Sequence, residues 1–225
     1  ALIPGIISVA LIFLLKEKRH AVSTLQQKNL FSFFQYWNIA STDYKHVVTG
    51  LLLFALFNSS DIFLLLKTKE ISGSDNITLV AYIFYNFVFA LASYPMGMLG
   101  DRIGLKTTFL LGLILFTVVY FMFGSTNSTI VIIIAFFLYG VYAAATEGIA
   151  KAWLTNMAHN TNTATAVGFY TSCQSICSLL ASVIAGMLWS SFSSSATFFT
   201  TSISGLSILA YFQFCVKKST ANPLP

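Results

Sequence analysis

The sequence predicts an all-α, polytopic integral membrane protein, and three observations carry that prediction. Hydrophobic residues make up 56% of the 225 positions and charged residues only 8%, against roughly 25% charged in an ordinary soluble domain. Apolar runs recur at lengths of about 20 residues, which lets a helix cross roughly 30 Å of hydrocarbon. The runs are continuously apolar, whereas membrane strands would alternate over about ten residues. Mean hydropathy of +0.79 agrees, and a cytosolic globule is excluded.

The elements follow in chain order. Residues 1–15, "ALIPGIISVALIFLL", fall short of a span and begin without methionine. No basic segment precedes them and no small-residue cleavage site follows, only "KEKRH", so they read poorly as a signal peptide. They read better as the truncated end of a transmembrane helix, which makes the chain a fragment or a product with a misplaced start. Residues 16–46 read as a cytoplasmic connecting loop, polar at first and then aromatic. Its cluster of Phe31, Phe33, Phe34, Tyr36 and Trp37 suits an interfacial helix. A six-span bundle then occupies 47–216, with spans at about 47–66, 78–97, 108–124, 129–150, 164–189 and 197–216. Residues 217–225 form a short tail.

Basic residues orient the bundle, because lysine and arginine accumulate in cytoplasmic loops. With residue 16 inside and one crossing per span, ten of the twelve lysines and arginines fall inside and only Lys67 and Lys69 outside. The C-terminus is then cytoplasmic, and the natural location is a plasma or inner membrane. Topology and anionic lipid account for the net charge of +5, and no nucleic-acid partner is needed.

Few residues carry reactive chemistry. Cys173 and Cys177 stand four apart on one span, Cys215 is alone, and His20, His46 and His159 are scattered, so no metal site is expected and no cofactor is implied. A nucleotide-binding loop of the G-x-x-x-x-G-K-[ST] kind is absent. Clustered catalytic acids are absent too, so an enzyme is not the expectation. The spans group as three plus three. The first and fourth hold Asp61 and Glu147, while the third and sixth hold no charge. This division predicts that the first and fourth face a polar interior and the third and sixth face lipid, as in transporters built of inverted triple-helix repeats.

The turn "GMLGDRIGLKTT" at 97–108 stands out, with Asp101, Arg102 and Lys106 set between two uncharged runs. Gly97, Gly100 and Gly104 permit tight backbone and close helix approach. Pro95 can kink or end the helix before it, and Asp101 can cap the next or a neighbouring helix. The two basic residues alone would serve as a topological anchor. The pattern nevertheless resembles the G-x-L-x-D-R-x-G-R-K loop of the major facilitator superfamily, matched by Gly97, Leu99, Asp101, Arg102, Gly104 and Lys106 and missed at Leu105.

That resemblance implies a six-helix C-terminal half of a twelve-helix fold, comprising the end of helix 6, the central loop and helices 7 to 12. An N-terminal half would then be missing from this chain. It also implies secondary active transport of a small solute by alternating access, as a permease or efflux carrier, with Asp101, Arg102, Lys106 and Glu147 as a gating charge network. An intrahelical Glu147–Lys151 pair is the alternative. Asp61 is a candidate for proton or cation coupling because an ionisable group within a span is costly; a pairing with Lys67 or Lys69 is the alternative. Among polar groups near mid-span, Asn58, Asn86, Tyr142 and Gln174 are the candidate solute-lining residues, with hydrogen-bonded helix contacts as the other explanation. Partners on this reading are the solute, a co-transported proton or cation, and membrane lipid. A non-transporting receptor-like or assembly module, a non-functional fragment and, last, a membrane enzyme are the competing functions.

Overall fold

The computed structural model describes residues 32–158 and 163–216. The expected helix end at 1–15, most of the connecting loop and the tail lie outside the described residues. Eight helices are described: α1 (Ser32–Ile39), α2 (Thr42–Phe57), α3 (Ile62–Ser72), α4 (Asp75–Ile103), α5 (Leu105–Ser125), α6 (Thr129–Met157), α7 (Thr163–Ser191) and α8 (Ser194–Cys215). Taken together, α2 and α3 form one membrane-crossing stretch, Thr42–Ser72, and α4 to α8 supply five more. Among the described residues, six helical stretches are therefore long and apolar enough to span a bilayer.

Serines start several of these helices. Ser41, Ser74 and Ser193 are extended residues whose hydroxyls accept the backbone N–H of Tyr44, Ile77 and Ala196, satisfying donors that a first turn leaves open. Gly104 ends α4 and opens α5 at φ 93°, a left-handed conformation that a Cβ disfavours. That single residue reverses the chain between two long helices.

Two departures from the expected spans concern helix continuity. The first span is broken: α2 stops where Asn58 N–H donates to Phe54 O, and α3 resumes where Phe63 N–H donates to Ser60 O. Between them runs "NSSD", four residues whose side chains compete with the helix for backbone hydrogen bonds. Conversely, α4 does not end at Pro95 but runs on to Ile103. Proline within a membrane helix is tolerated where neighbouring groups and local adjustment re-satisfy the freed carbonyl.

Packing shows the three-plus-three organisation. The first span contacts the fifth and sixth; the fourth contacts the second and third; the third and sixth contact each other. Exchanging each of the first three spans with its counterpart among the last three leaves this contact pattern unchanged. Since three crossings put the second triplet on the opposite side from the first, a repeat of this length is necessarily inverted. At one end of the bundle, Tyr44 OH donates to Ala166 O at 2.8 Å and Tyr211 OH to His46 O at 3.1 Å, gathering the starts of α2 and α7 with the end of α8. Lys106 donates to Val216 O at the same end, which therefore also holds the charged turn.

The lipid-facing assignment requires correction. Instead of lying outside, α5 is among the most buried spans, with 56% of its core window buried, against 17% for α4 and 11% for α7. Its buried face includes Phe109, Leu113, Phe116 and Tyr120, with Gly112 against α6 and Gly205 of α8 against Thr117. Its opposite face, with Leu111, Ile114, Val118 and Phe121, is exposed. Absence of charge marks a helix as apolar; it does not say which side another helix covers. The least covered large side chains lie instead on α4, α7 and the outer rims, among them Tyr94, Phe87, Leu179 and Met187.

Candidate functional site: a clamped carboxylate and a polar cavity

Asp61 is held by two tyrosines from different helices. Tyr139 OH on α6 donates to Asp61 Oδ1 at 2.5 Å, and Tyr85 OH on α4 donates to Oδ2. Hydrogen bonds to an ionised acceptor are short and roughly twice as strong as neutral ones. The carboxylate thus ties the break between α2 and α3 to the second and fourth spans. Expected alternatives do not form: Lys67 donates to Glu70 Oε1 at 3.2 Å and Ser194 Oγ at 2.9 Å, and Lys69 pairs with Asp75 at 2.8 Å. Lys67 is 4% exposed, and its contact with Ser194 fixes the middle of α3 to the start of α8.

Aromatic rings continue from the carboxylate into the bundle. Tyr85 and Tyr139 meet edge to face at 5.3 Å, Tyr139 and Tyr142 lie 5.2 Å apart, and Tyr142 contacts Phe54 and Phe116. Tyr120 is fully buried beside Ser59 and Tyr139, yet its hydroxyl has no hydrogen bond of normal geometry. Such a group is costly to leave unpaired.

Three of the four predicted solute-lining residues converge. A cavity of about 140 Å³ between α2, α5, α6 and α7 is lined by Asn58, Tyr142 and Gln174, joined by Thr146, Glu147, Lys151, Tyr170 and Ser178 over an aromatic floor of Phe54 and Phe109. The amide oxygen of Asn58 is buried without a partner among the described residues. Asn86 is the exception. It sits on α4, outside this cavity, and its amide donates to Tyr82 O one turn back at 2.8 Å, so it satisfies its own helix. Sequence reasoning passed over Thr146 and Tyr170, since a threonine and a tyrosine within an apolar run read as ordinary packing.

The charged turn is arranged differently from the expected network. Asp101, Gly97, Glu147 and Lys151 line a second cleft, about 430 Å³, between α4 and α6. Arg102 is exposed, and Lys106 bonds the Val216 carbonyl. Among the described residues, no ion pair joins Asp101, Arg102 or Glu147 to any partner, and Glu147 does not pair with Lys151 either. Arg102 follows Asp101 on the last turn of α4, about 100° further round the helix, and is not among the residues that line this cleft. Nor does Asp101 cap α5, whose N-cap is Gly104 without a side-chain bond.

The motif's glycines have separate tasks. At Gly100 a Cβ would lie 2.9 Å from Ile149 Cδ1, so this glycine permits the close approach of α4 to α6. Gly104 supplies the reversal, whereas Gly97 has open space beside it. Leu99 is half-buried on α4.

Comparison with known proteins agrees with this architecture. The family profile described as Major Facilitator Superfamily matches residues 48–224. An uncharacterized MFS-type transporter of Methanocaldococcus jannaschii is 34% identical over 143 residues, and the aligned part covers 61% of this chain and 36% of that protein. The chain therefore spans well under two thirds of this relative. With six spanning helices, a pseudo-symmetric packing of triplets and a profile match across the whole bundle, the chain belongs to the Major Facilitator Superfamily.

Proposed function

We propose that this chain works as the C-terminal half of a secondary transporter that moves a small solute by alternating access. The observation that carries the reading is the convergence of Asn58, Tyr142 and Gln174 with Glu147 and Lys151 around one cavity between α2, α5, α6 and α7. Transporters of repeated architecture bind solute near the midplane, between halves that rock against each other. The poorly covered faces of α4 and α7 are the natural seat of an N-terminal half. In this reading Asp61 is the coupling group for a proton or cation, since a carboxylate clamped by two hydroxyls can exchange its partners as the broken span moves. The charged turn is the gate: the cleft holding Asp101, Glu147 and Lys151 closes in the opposite state and brings these charges together, with Arg102 and Lys106 anchoring the turn. The turn and the C-terminus face the cytoplasm, following the lysine and arginine count.

Vesicles containing the intact gene product test this. Under an imposed proton gradient, a panel of labelled small solutes should include one that accumulates in a protein-dependent way. Asp61→Asn should abolish accumulation while leaving solute exchange in place. Unchanged proton-driven uptake in that variant removes Asp61 from coupling, and normal transport by both Asp101→Asn and Arg102→Ala removes the gate assignment. No gradient-linked flux of any solute would set the transport reading aside.

A further inference from the structure

The break in the first span gathers oxygen atoms that the bundle leaves unused; their role deepens the coupling function proposed for Asp61 and rests on it. Because α2 ends at Phe57, the carbonyls of Ala55, Leu56 and Phe57 receive no backbone N–H among the described residues. A helix C-terminus carries partial negative charge and favours cations. Asn58, which caps this end, adds a buried amide oxygen without a donor. Asp61 stands at the N-cap position of α3 yet makes no capping bond, its carboxylate serving Tyr85 and Tyr139 instead. Among the described residues, no lysine, arginine or histidine pairs with it.

The Tyr120 hydroxyl points to what the break holds. Tyr120 is 1% exposed, and its hydroxyl lies beside the buried Ser59 and Tyr139 and close enough to feel the Asp61 charge, with no hydrogen-bond partner. An oxygen of α5 thus joins oxygens of α4, α6 and the break. Carboxylate, hydroxyl, amide and carbonyl oxygens are the ligands of hard cations. Only Asp61 among them is an acid, and one negative charge balances a monovalent ion. A proton would satisfy one of these oxygens, whereas a metal ion engages several at once. We infer that the break binds an alkali-metal cation on Asp61, Ser59 and Tyr120, with the open end of α2 completing the oxygen shell. Unwound carbonyls and half-helix C-termini hold cations in transporters built with discontinuous helices. Proton and metal ion exclude each other on one carboxylate, so either gradient can drive the step assigned to Asp61. The titratable groups facing it are Tyr85 of α4, Tyr120 of α5 and Tyr139 of α6, with Glu147 further along α6. Asn58 also lines the solute cavity, which places one amide between ion and solute.

Thermal unfolding of the intact gene product in detergent tests this at fixed pH and ionic strength, with NaCl or KCl replacing choline chloride. At least one metal salt should raise the midpoint saturably, as binding to the folded state requires. Tyr120→Phe keeps the ring and removes the hydroxyl, and it should raise the half-saturating concentration roughly 10–100-fold. In choline chloride the same variant should unfold no lower than the unaltered protein, because the hydroxyl it loses had no partner. Ser59→Ala should weaken the response as well, and Asp61→Asn should abolish it. A merely structural Tyr120 would lower the midpoint equally in every salt, and that result overturns the assignment. An unaltered half-saturation in Tyr120→Phe overturns it too. Identical midpoints in all three salts, or a rise that never saturates, show water or general salt action and remove the site; proton-driven uptake in the solute panel then leaves transport standing. A saturable cation response without flux of any solute keeps the site and removes transport.

Discussion

Asp61 shows how much one side chain can hold at a place where a helix is missing. Its two tyrosine partners come from α4 and α6, so replacing it removes one acceptor and strands two buried donors. Asp61→Ala should therefore lower stability by about 1–3 kcal/mol for each stranded hydroxyl. Asp61→Asn, which retains one acceptor oxygen, should cost less, and thermal unfolding in detergent would rank the two. Tyr85→Phe and Tyr139→Phe should be non-additive, with a coupling of roughly 0.5–3 kcal/mol, because they share one carboxylate. Strict additivity in that cycle would show that the clamp does not act as a unit. Glycines give a second comparison: a Cβ on Gly140 would lie 2.7 Å from Tyr85 O and 2.8 Å from Val88 Cβ, whereas one on Gly97 meets nothing. Gly140→Ala should cost roughly 1–3 kcal/mol and Gly97→Ala almost nothing. The sequence alone identified Asp61 as exceptional, since a lone acid in an apolar run is conspicuous. It could not name the tyrosines, which lie 24 and 78 residues away among other tyrosines of the same look.

Hydropathy recognised every spanning helix in the described residues but not how far each extends. The second span, expected at 78–97, runs from Asp75 to Ile103, because its ends are set by the Ser74 cap and by Gly104 and not by the limit of apolar residues. The break between α2 and α3 was overlooked for a related reason: a hydropathy average over about 20 residues smooths across "NSSD", although Asn, Ser and Asp are the residues that favour helix starts. Read as a local signal, those four positions would have revealed a second N-terminus. α3 is short, 11 residues, and is fastened by Asp61 just before its first turn and by Lys67 at its middle. Lys67→Met keeps the apolar stem and removes both polar contacts. Backbone amides of α3 should then exchange with deuterium faster than in the unaltered protein, while those of α5 stay protected. Equal acceleration throughout the bundle would mean that Lys67 supports the whole fold and not this element.

The whole bundle has two kinds of outer surface that composition does not distinguish. Apolar residues cover both the face of α5 that carries Leu111, Ile114 and Phe121 and the faces of α4 and α7 that carry Ile83, Phe87 and Leu179. For this reason the sequence placed the third and sixth spans outside and gave no hint that the second and fifth are the least covered. If α4 and α7 receive a second half, spin labels at Ile83→Cys and Leu179→Cys should be shielded from oxygen dissolved in lipid in the intact gene product. A label at Phe121→Cys should remain accessible. Equal accessibility at all three positions would show that α4 and α7 face lipid. The broken first span adds an electrical consequence. Lys67, the first basic residue placed outside the first span, follows Asp61 by six positions, a rise of about 9 Å or roughly a third of the hydrocarbon thickness. In the coupling role proposed for Asp61, a cation reaching it from the Lys67 side would thus cross roughly a third of the membrane voltage, worth about 0.7 kcal/mol at 100 mV. A cation bound there would then respond to membrane potential as well as to its own concentration, so the kink in one helix would make the protein a partial voltmeter.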